Sequence, residues 1–217
     1  MEKYFKNWNE FKDYLYADAF RYLGDYGEIR PTEWLKYYLQ HPNYRYVVMM
    51  RFVQFVYGRK WLIPAKYYVY MRLQWIRNKT GIQISPATKI GKGFYIGHWG
   101  SIVINAREIG ENVNIIQTCT IGVAYRGDRG GIPTIGSNVY IGSGARIFGD
   151  IKIGNNVAIG VNSVVTRDVL DNSVVVGAPA KVISMRGSEG YIYSYIDANG
   201  VKYPRFNKQS NESIIGS

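Results

Sequence analysis

The sequence predicts a mainly β fold, a parallel β-helix preceded by an α-helical region. Three observations predict it. Isoleucine recurs every six residues at Ile84, Ile90, Ile96 and Ile102, and after one extra residue at Ile109, Ile115 and Ile121. The beat continues at Ile135, Ile141, Ile147, Ile153 and Ile159, and Val165 closes it. Glycine follows many of these directly, at Gly91, Gly97, Gly110, Gly122, Gly136, Gly142, Gly154 and Gly160. Small or β-branched residues recur four places after the isoleucine, at Thr88, Gly100, Val113, Cys119, Val139, Ala145, Val157 and Ser163. A six-residue unit is too short for a helix pair and suits one short strand plus a tight turn. Three units close a triangular coil, and coils stacked about 4.8 Å apart align the isoleucines into one core. The thirteen repeats make a little over four coils. The residue after each isoleucine is expected near a corner, where a missing Cβ admits unusual backbone angles. An isoleucine-rich β-sandwich is disfavoured, because its strands alternate with period two and turn about every 8–12 residues.

The remaining elements follow in order. Residues 2–24 read as one or two helices with aromatic faces built from Tyr4, Phe5, Trp8, Phe11, Leu15 and Phe20. Gly24 and Gly27 break that pattern, and Pro31 with Thr32 begins the next element. Residues 33–40, 43–57 and 63–78 read as further helices, and Gly81 punctuates before the solenoid starts at Ile82. The repeat ends after Val182. The tail carries alternating Tyr191, Tyr193 and Tyr195 and a turn at Ala198-Asn199-Gly200, so it reads as a β-hairpin or an extended strand pair. The expected division is residues 1–80 helical, 81–183 solenoid and 184–217 extension. The helical stretch from 33 to 78 is rich in tyrosine, tryptophan and arginine. Packing onto the solenoid or a neighbouring subunit is the first reading. Peripheral contact with a membrane is the second, since aromatic-basic faces suit an interface.

The pattern Ile/Val-Gly-x-x-small-x resembles the hexapeptide-repeat acyltransferases. The stretch from Gly81 to Ile183 is similar to their serine O-acetyltransferase branch, which includes many acetyltransferases of surface polysaccharides. The resemblance covers about half the chain. It implies a left-handed parallel β-helix, against the usual right-handed crossover rule. It also implies a homotrimer with active sites between subunits, and acetyl-CoA as co-substrate.

Only His41 and His98 are available as imidazoles. His98, in Tyr95-Ile96-Gly97-His98-Trp99-Gly100, holds the third place of a hexad, so its side chain is expected to leave the core. A histidine in this coil is the general base in the resembling family, and this position matches it. The chemistry needs such a group, because a hydroxyl attacks a thioester poorly until an imidazole takes its proton. His41, before Pro42, reads as a helix-boundary residue. The fourteen-residue gap between Ile121 and Ile135 has loop composition and offers Arg126, Asp128 and Arg129 as contacts to acceptor or coenzyme. By the resemblance, this loop covers the site of an adjacent subunit. Ser143 and Val161 would line the pantetheine groove through their backbones. Thr166, Arg167 and Lys181 would lie near the nucleotide end, where a 3′-phosphate needs a cation. Three departures stand out. Serine acetyltransferases carry an aspartate fifteen residues before the base, another immediately before it, and a loop histidine before the proline. Here those places hold Gln83, Gly97 and Ile132. The departures count against serine as the acceptor and leave the coenzyme half untouched. Gln83, a backbone carbonyl or another subunit is left to orient His98. The expected activity is acetyl transfer to a hydroxyl of a sugar or surface-polysaccharide precursor. Serine O-acetylation in cysteine biosynthesis is the alternative, and a non-catalytic scaffold is a second one.

Composition narrows the rest. The formal net charge is +11 with pI near 9.6. No zinc-finger spacing, RNP motif or lysine-rich tail accompanies it, so nucleic acid is not expected, and the phosphates of coenzyme A give the basic surface a reason. The single cysteine, Cys119, excludes an intrachain disulfide and sits at an inward hexad place, as a small filler rather than a nucleophile. No metal is expected, because the two histidines lack ligand spacing. With no signal-peptide pattern at the N-terminus and no apolar run of about 18 residues, a cytoplasmic location is expected.

Overall fold

The computed structural model describes residues 4–24, 29–57, 59, 62–125, 130–197 and 199–203. Hexads become the sides of a triangular coil because each isoleucine points inward and each corner turns the chain. The first face stacks strands Ile82–Ile84, Ile102–Ile104, Thr120–Gly122, Arg146–Phe148 and Val164–Val165 in parallel. The second face stacks Lys89–Ile90, Glu108–Ile109, Thr134–Ile135 and Lys152–Ile153. The third stacks Tyr95–Ile96, Asn114–Ile115, Tyr140–Ile141, Ala158–Ile159 and Val174–Gly177, and Ala180–Ser184 closes it antiparallel. Register places isoleucine on isoleucine, for example Ile90 on Ile109 and Ile96 on Ile115. All thirteen repeat residues are buried, and so are Val113, Cys119, Val139, Ala145, Val157 and Ser163 at the second inward place.

Two expectations are corrected. The glycines after the inward residues are not there for unusual backbone angles. A Cβ on Gly136 would lie 2.5 Å from the Gly154 carbonyl oxygen, so glycine is required by the close approach of the next coil. Left-handed backbone falls two residues later, at Asn112, Asn138, Asn156, Asn162 and Asn172. Asparagine tolerates that conformation and bonds to its neighbours. Asn112 Nδ2 donates to Asn138 Oδ1 at 3.4 Å, Asn138 to Asn156 at 3.1 Å, and Asn156 to Asn172 at 3.1 Å, making a ladder along one corner. The coil count is also higher, because five strands stack on the first face. The fifth coil runs from Val165 through Val169, which bridges to Ile153, to Val175, which pairs with Ile159. Its first side is four residues long and carries valine, so it escapes the isoleucine beat.

Four helices precede the solenoid: α1 (Trp8–Leu23), α2 (Pro31–Gln40), α3 (Pro42–Val56) and α4 (Ile63–Thr80). Asn7 caps α1 by accepting from the Glu10 N–H, and proline opens α2 and α3 where no N–H is needed. Gly81, at φ +70, ends α4 and starts the coil. Their first task is to close the coil's open end, where strand N–H and C=O groups have no preceding coil. Tyr46 accepts from the Ile84 N–H at 3.0 Å and donates to the Ile84 carbonyl at 3.3 Å. Tyr4 makes the same pair of bonds with Ile90. At Ile96, Tyr22 accepts from the N–H at 2.8 Å and Asn43 donates to the carbonyl at 2.7 Å. Asp18 accepts from the Phe94 N–H at 2.8 Å and pairs with Arg51, which donates to the Ile90 and Gly91 carbonyls. Burial pushes the Tyr46 hydroxyl up to about 12, so it keeps its proton through the neutral range.

The tail forms the expected hairpin, with Tyr195–Ile196 antiparallel to Lys202–Tyr203. On the way it runs back along the coils. Ser188 bonds to the Asn156 and Asn138 carbonyls, and the Ile196 carbonyl accepts from Asn112.

Removing a cap partner leaves buried backbone groups unpaired. Tyr46→Phe should lower unfolding free energy by about 1–3 kcal/mol. Arg51→Met, which strands the Asp18 carboxylate, should lower it by about 3–5 kcal/mol. Urea unfolding followed by circular dichroism measures both, and an unchanged midpoint in either variant would show that the cap does not hold the coil.

Candidate active site

His98 leaves the coil where the third face turns into the first. Gly97 N–H donates to the Ile115 carbonyl at 2.9 Å and fixes the strand end, and His98 and Trp99 beyond it are exposed. The corner repeats below. Thr118 N–H donates to the Gly100 carbonyl at 3.0 Å, Gly144 N–H to Gln117 at 3.1 Å, and Asn162 N–H to Ser143 at 2.8 Å. His98, Ser143 and Val161 therefore stand on one corner, with Gln117 between the first two. Three coil steps separate His98 from Val161, about 14 Å. The Gly177 turn continues the corner, since Gly160 N–H bonds the Val175 carbonyl and Gly177 N–H reaches Ser163 Oγ at 3.1 Å. Lys181 lies exposed on the closing strand opposite Val176. Thr166 and Arg167 are exposed at the other end of the first face, away from this corner.

Gln83 points outward from the first strand, and its Oε1 accepts from Arg77 at 3.2 Å. The structure thus gives that amide to α4 rather than to the imidazole. Arg126, Asp128 and Arg129 lie outside the described residues. Ala124 and Gly131, which flank them in sequence, exchange two backbone bonds of 3.0 Å.

Sequence reasoning missed the walls beside His98. A cleft of about 390 Å³ opens there, lined by Arg21, Tyr95, Asn114, Tyr140, Tyr191 and Tyr193 among others. Tyr95, Asn114 and Tyr140 each stand one place before an inward isoleucine of the third face, and reading every third hexad would have found them. Tyr191 comes from the returning tail and stacks on Tyr140 at 4.8 Å. Arg21 of α1 is buried and donates to Asn114 Oδ1 and to the Tyr193 and Ser194 carbonyls. Among the described residues it has no ion-pair partner. Burial lowers its guanidinium to about 10, so it stays charged at neutral pH. Among the described residues the lining includes no carboxylate, and Arg21 gives it a positive charge.

His41 ends α2, opens α3 and stacks on Tyr37 at 3.7 Å, and partial burial lowers its pKa. It holds a helix boundary. Among the described residues, no three His, Cys, Asp or Glu side chains group to hold a metal.

No family model matches the chain. Over 111 residues it is 46% identical to a serine acetyltransferase of Staphylococcus aureus, an alignment taking in 50% of this chain and 51% of that one. Over 154 residues it is 33% identical to a serine acetyltransferase of Synechococcus elongatus, covering 70% of this chain and 62% of the relative. The match thus spans between half and two-thirds of these relatives' length. The crystal structure of Neisseria gonorrhoeae serine acetyltransferase in complex with serine superposes with a TM-score of 0.63 at 29% identity, over 80% of this chain and 69% of that one. The fold is that of the serine acetyltransferases. The parallel β-helix is therefore the left-handed form that the resemblance implies.

Cys119 lies in the core, its Sγ 3.1 Å from the Gly142 carbonyl oxygen, and burial pushes its thiol up. Only the thiolate reacts with alkylating agents. Native protein at pH 8 should resist iodoacetamide and become labelled stoichiometrically once unfolded in urea, as read by intact mass. Rapid labelling of the folded chain would place the thiol outside the core.

Proposed function

We propose that this chain is an acetyl-CoA-dependent O-acetyltransferase with His98 as general base. The observation that carries the reading is the exposed imidazole at the head of a corner continuous with Ser143 and Val161, on a fold shared with serine acetyltransferases. The acceptor hydroxyl gives its proton to the imidazole as its oxygen attacks the thioester carbonyl. The tetrahedral intermediate collapses, the C–S bond breaks, and the imidazolium returns the proton to the departing thiolate. A backbone N–H of a neighbouring coil is suited to hold the oxyanion. Ser143 and Val161 lie where a pantetheine arm would run along the corner, and Lys181 beyond them is placed to meet phosphate charge. Thr166 and Arg167 would reach the coenzyme only if it bends across the first face. The corner is open on a single chain, and a second copy in a homotrimer would give it a facing wall. A cytoplasmic location, where acetyl-CoA is available, fits this reading.

L-serine is the acceptor that the comparisons favour, since the curated relatives carry that activity in their name and one solved structure holds serine. The positive cleft supports it, because the Arg21 charge would attract the amino-acid carboxylate. A sugar hydroxyl is the second reading. Gln83 and Gly97 stand where serine acetyltransferases have carboxylates, and tyrosine faces at Tyr95, Tyr140 and Tyr191 suit a pyranose.

Acetyl transfer from labelled acetyl-CoA to L-serine and to a panel of free and nucleotide-linked sugars decides between them. Turnover on serine alone supports the first reading and turnover on sugars alone the second. No transfer to either leaves the enzyme assignment without support. His98→Ala should lower turnover by about 10²–10⁴-fold while calorimetry still detects coenzyme A binding. Undiminished turnover would remove the histidine from the mechanism.

A further inference from the structure

Helix α4 is apolar on two opposite sides, and only one of them is used. Val69, Leu73 and Ile76 enter the core with the first coil. About half a turn around the helix, Tyr67, Tyr68 and Met71 keep 65–68% of their surface in solvent, and Trp75 keeps 43%. An amphipathic surface helix normally sets charge opposite its buried stripe. Here two charges flank the outer stripe instead. Helical spacing puts Arg72 and Lys79 along one border of it, while Lys66 and Arg77 lie nearer the buried stripe, Lys66 over the Tyr57 ring and Arg77 bonded to Gln83. The Arg72 guanidinium lies 5.3 Å from the Trp75 ring centroid and the Lys79 ammonium 4.2 Å. The helix contains no acidic residue. Helix α2 buries none of its residues and exposes Leu35 and Leu39. Its Tyr38 hydroxyl lies within electrostatic reach of Arg72 and Tyr68 of α4.

We propose that the outer face of α2 and α4 rests on an anionic lipid bilayer surface. Tyrosine and tryptophan place an apolar ring and a polar tip at the same depth as the headgroup boundary, and bordering lysines and arginines reach lipid phosphates while their stems cover apolar surface. The charge pattern selects this occupant. Docking the face against a second copy of itself would set Arg72 and Lys79 against their own copies with no acid from α4 to balance them. The contact is peripheral, because no described helix is long and apolar enough to cross a membrane. Neither the stripe nor its cations belong to the cleft at His98, so this contact stands or falls independently of the acceptor.

Flotation of the full chain on a sucrose gradient tests it. Vesicles of phosphatidylcholine alone should leave the protein at the bottom. Vesicles with one-third phosphatidylglycerol should carry it up at low salt and release it at high salt. Replacing Arg72 and Lys79 with glutamine should weaken partitioning about fivefold for each cation removed. Tyr67→Ser with Met71→Ser, exposed sites whose exchange leaves the core intact, should abolish co-flotation without altering the circular dichroism spectrum. The idea is overturned by protein that stays at the bottom with anionic vesicles at low salt. It is equally overturned by variants that float like the parent, or by sedimentation showing self-association that the serine variant abolishes.

Discussion

A stacked coil satisfies its backbone from the neighbouring coil, so its two ends are where it can fail. The strand groups of Ile84, Ile90 and Ile96 have no coil before them, and left open they would be a template for another chain. This protein covers all three sides with side chains. Tyr46, Tyr4 and Tyr22 with Asn43 each meet one side, and Asp18 and Arg51 fill the space between. A tyrosine hydroxyl suits the task because it donates and accepts from one atom, as a paired strand residue does with two. The Asp18–Arg51 pair sits fully out of water, where an ion pair alone adds little net stability. Its value comes from the completeness of its bonding, with Arg51 reaching Asp18, Gln54, Ile90 and Gly91. The helical region is therefore first a plug, and its position on the coil follows from which backbone groups it must reach.

That position also builds the cleft. The first coil is at once the coil that needs capping and the coil that carries His98. Tyr22 and Asn43, which close the third side at Ile96, bring α1 and α3 within one residue of the turn into His98. Arg21 follows, because it neighbours Tyr22 on α1 and is held by Asn114 and the returning tail. The far end is closed differently, by the antiparallel strand Ala180–Ser184. The open stretch of corner from His98 to Gly177 lies between a plug and a folded-back strand, and both of its ends carry positive charge from Arg21 and Lys181.

The repeat was legible in the sequence because period six is a local signal, and so were the four helices and the tail hairpin. His98 was legible for the same reason, since its place in a hexad says that it leaves the core. The plug was not. Tyr46 and Tyr4 reach partners 38 and 86 residues away, and neither has a periodic mark. The glycine role was misread because hexad spacing shows that a small residue is needed without saying whether the need is angular or steric. The Gly136 approach of 2.5 Å shows it to be steric, and the asparagine ladder absorbs the angular requirement. The fifth coil was lost because one side shortened and valine replaced isoleucine. Tyr191 and Tyr193 were visible as alternating aromatics, yet sequence alone could not say that the tail runs back to Asn112, Asn114 and Arg21 of α1.

The charge of the cleft bears on which acceptor it suits. In serine acetyltransferases, by the resemblance, carboxylates orient and polarise the base and help bind the amino acid. Here one of those places is Gly97, and the other, Gln83, is bonded to Arg77. The described lining adds a buried guanidinium and no anion. A cleft lined in this way is complementary to an anion rather than to a second cation. An acceptor bearing a carboxylate would supply that anion to the Arg21 guanidinium. A neutral sugar would not, and would leave the guanidinium with its amide and carbonyl partners alone. The two features of the site thus pull apart: Gln83 and Gly97 remove the carboxylates of the resembling family, while the buried Arg21 keeps a cation that a carboxylate-bearing acceptor would meet and a neutral sugar would not.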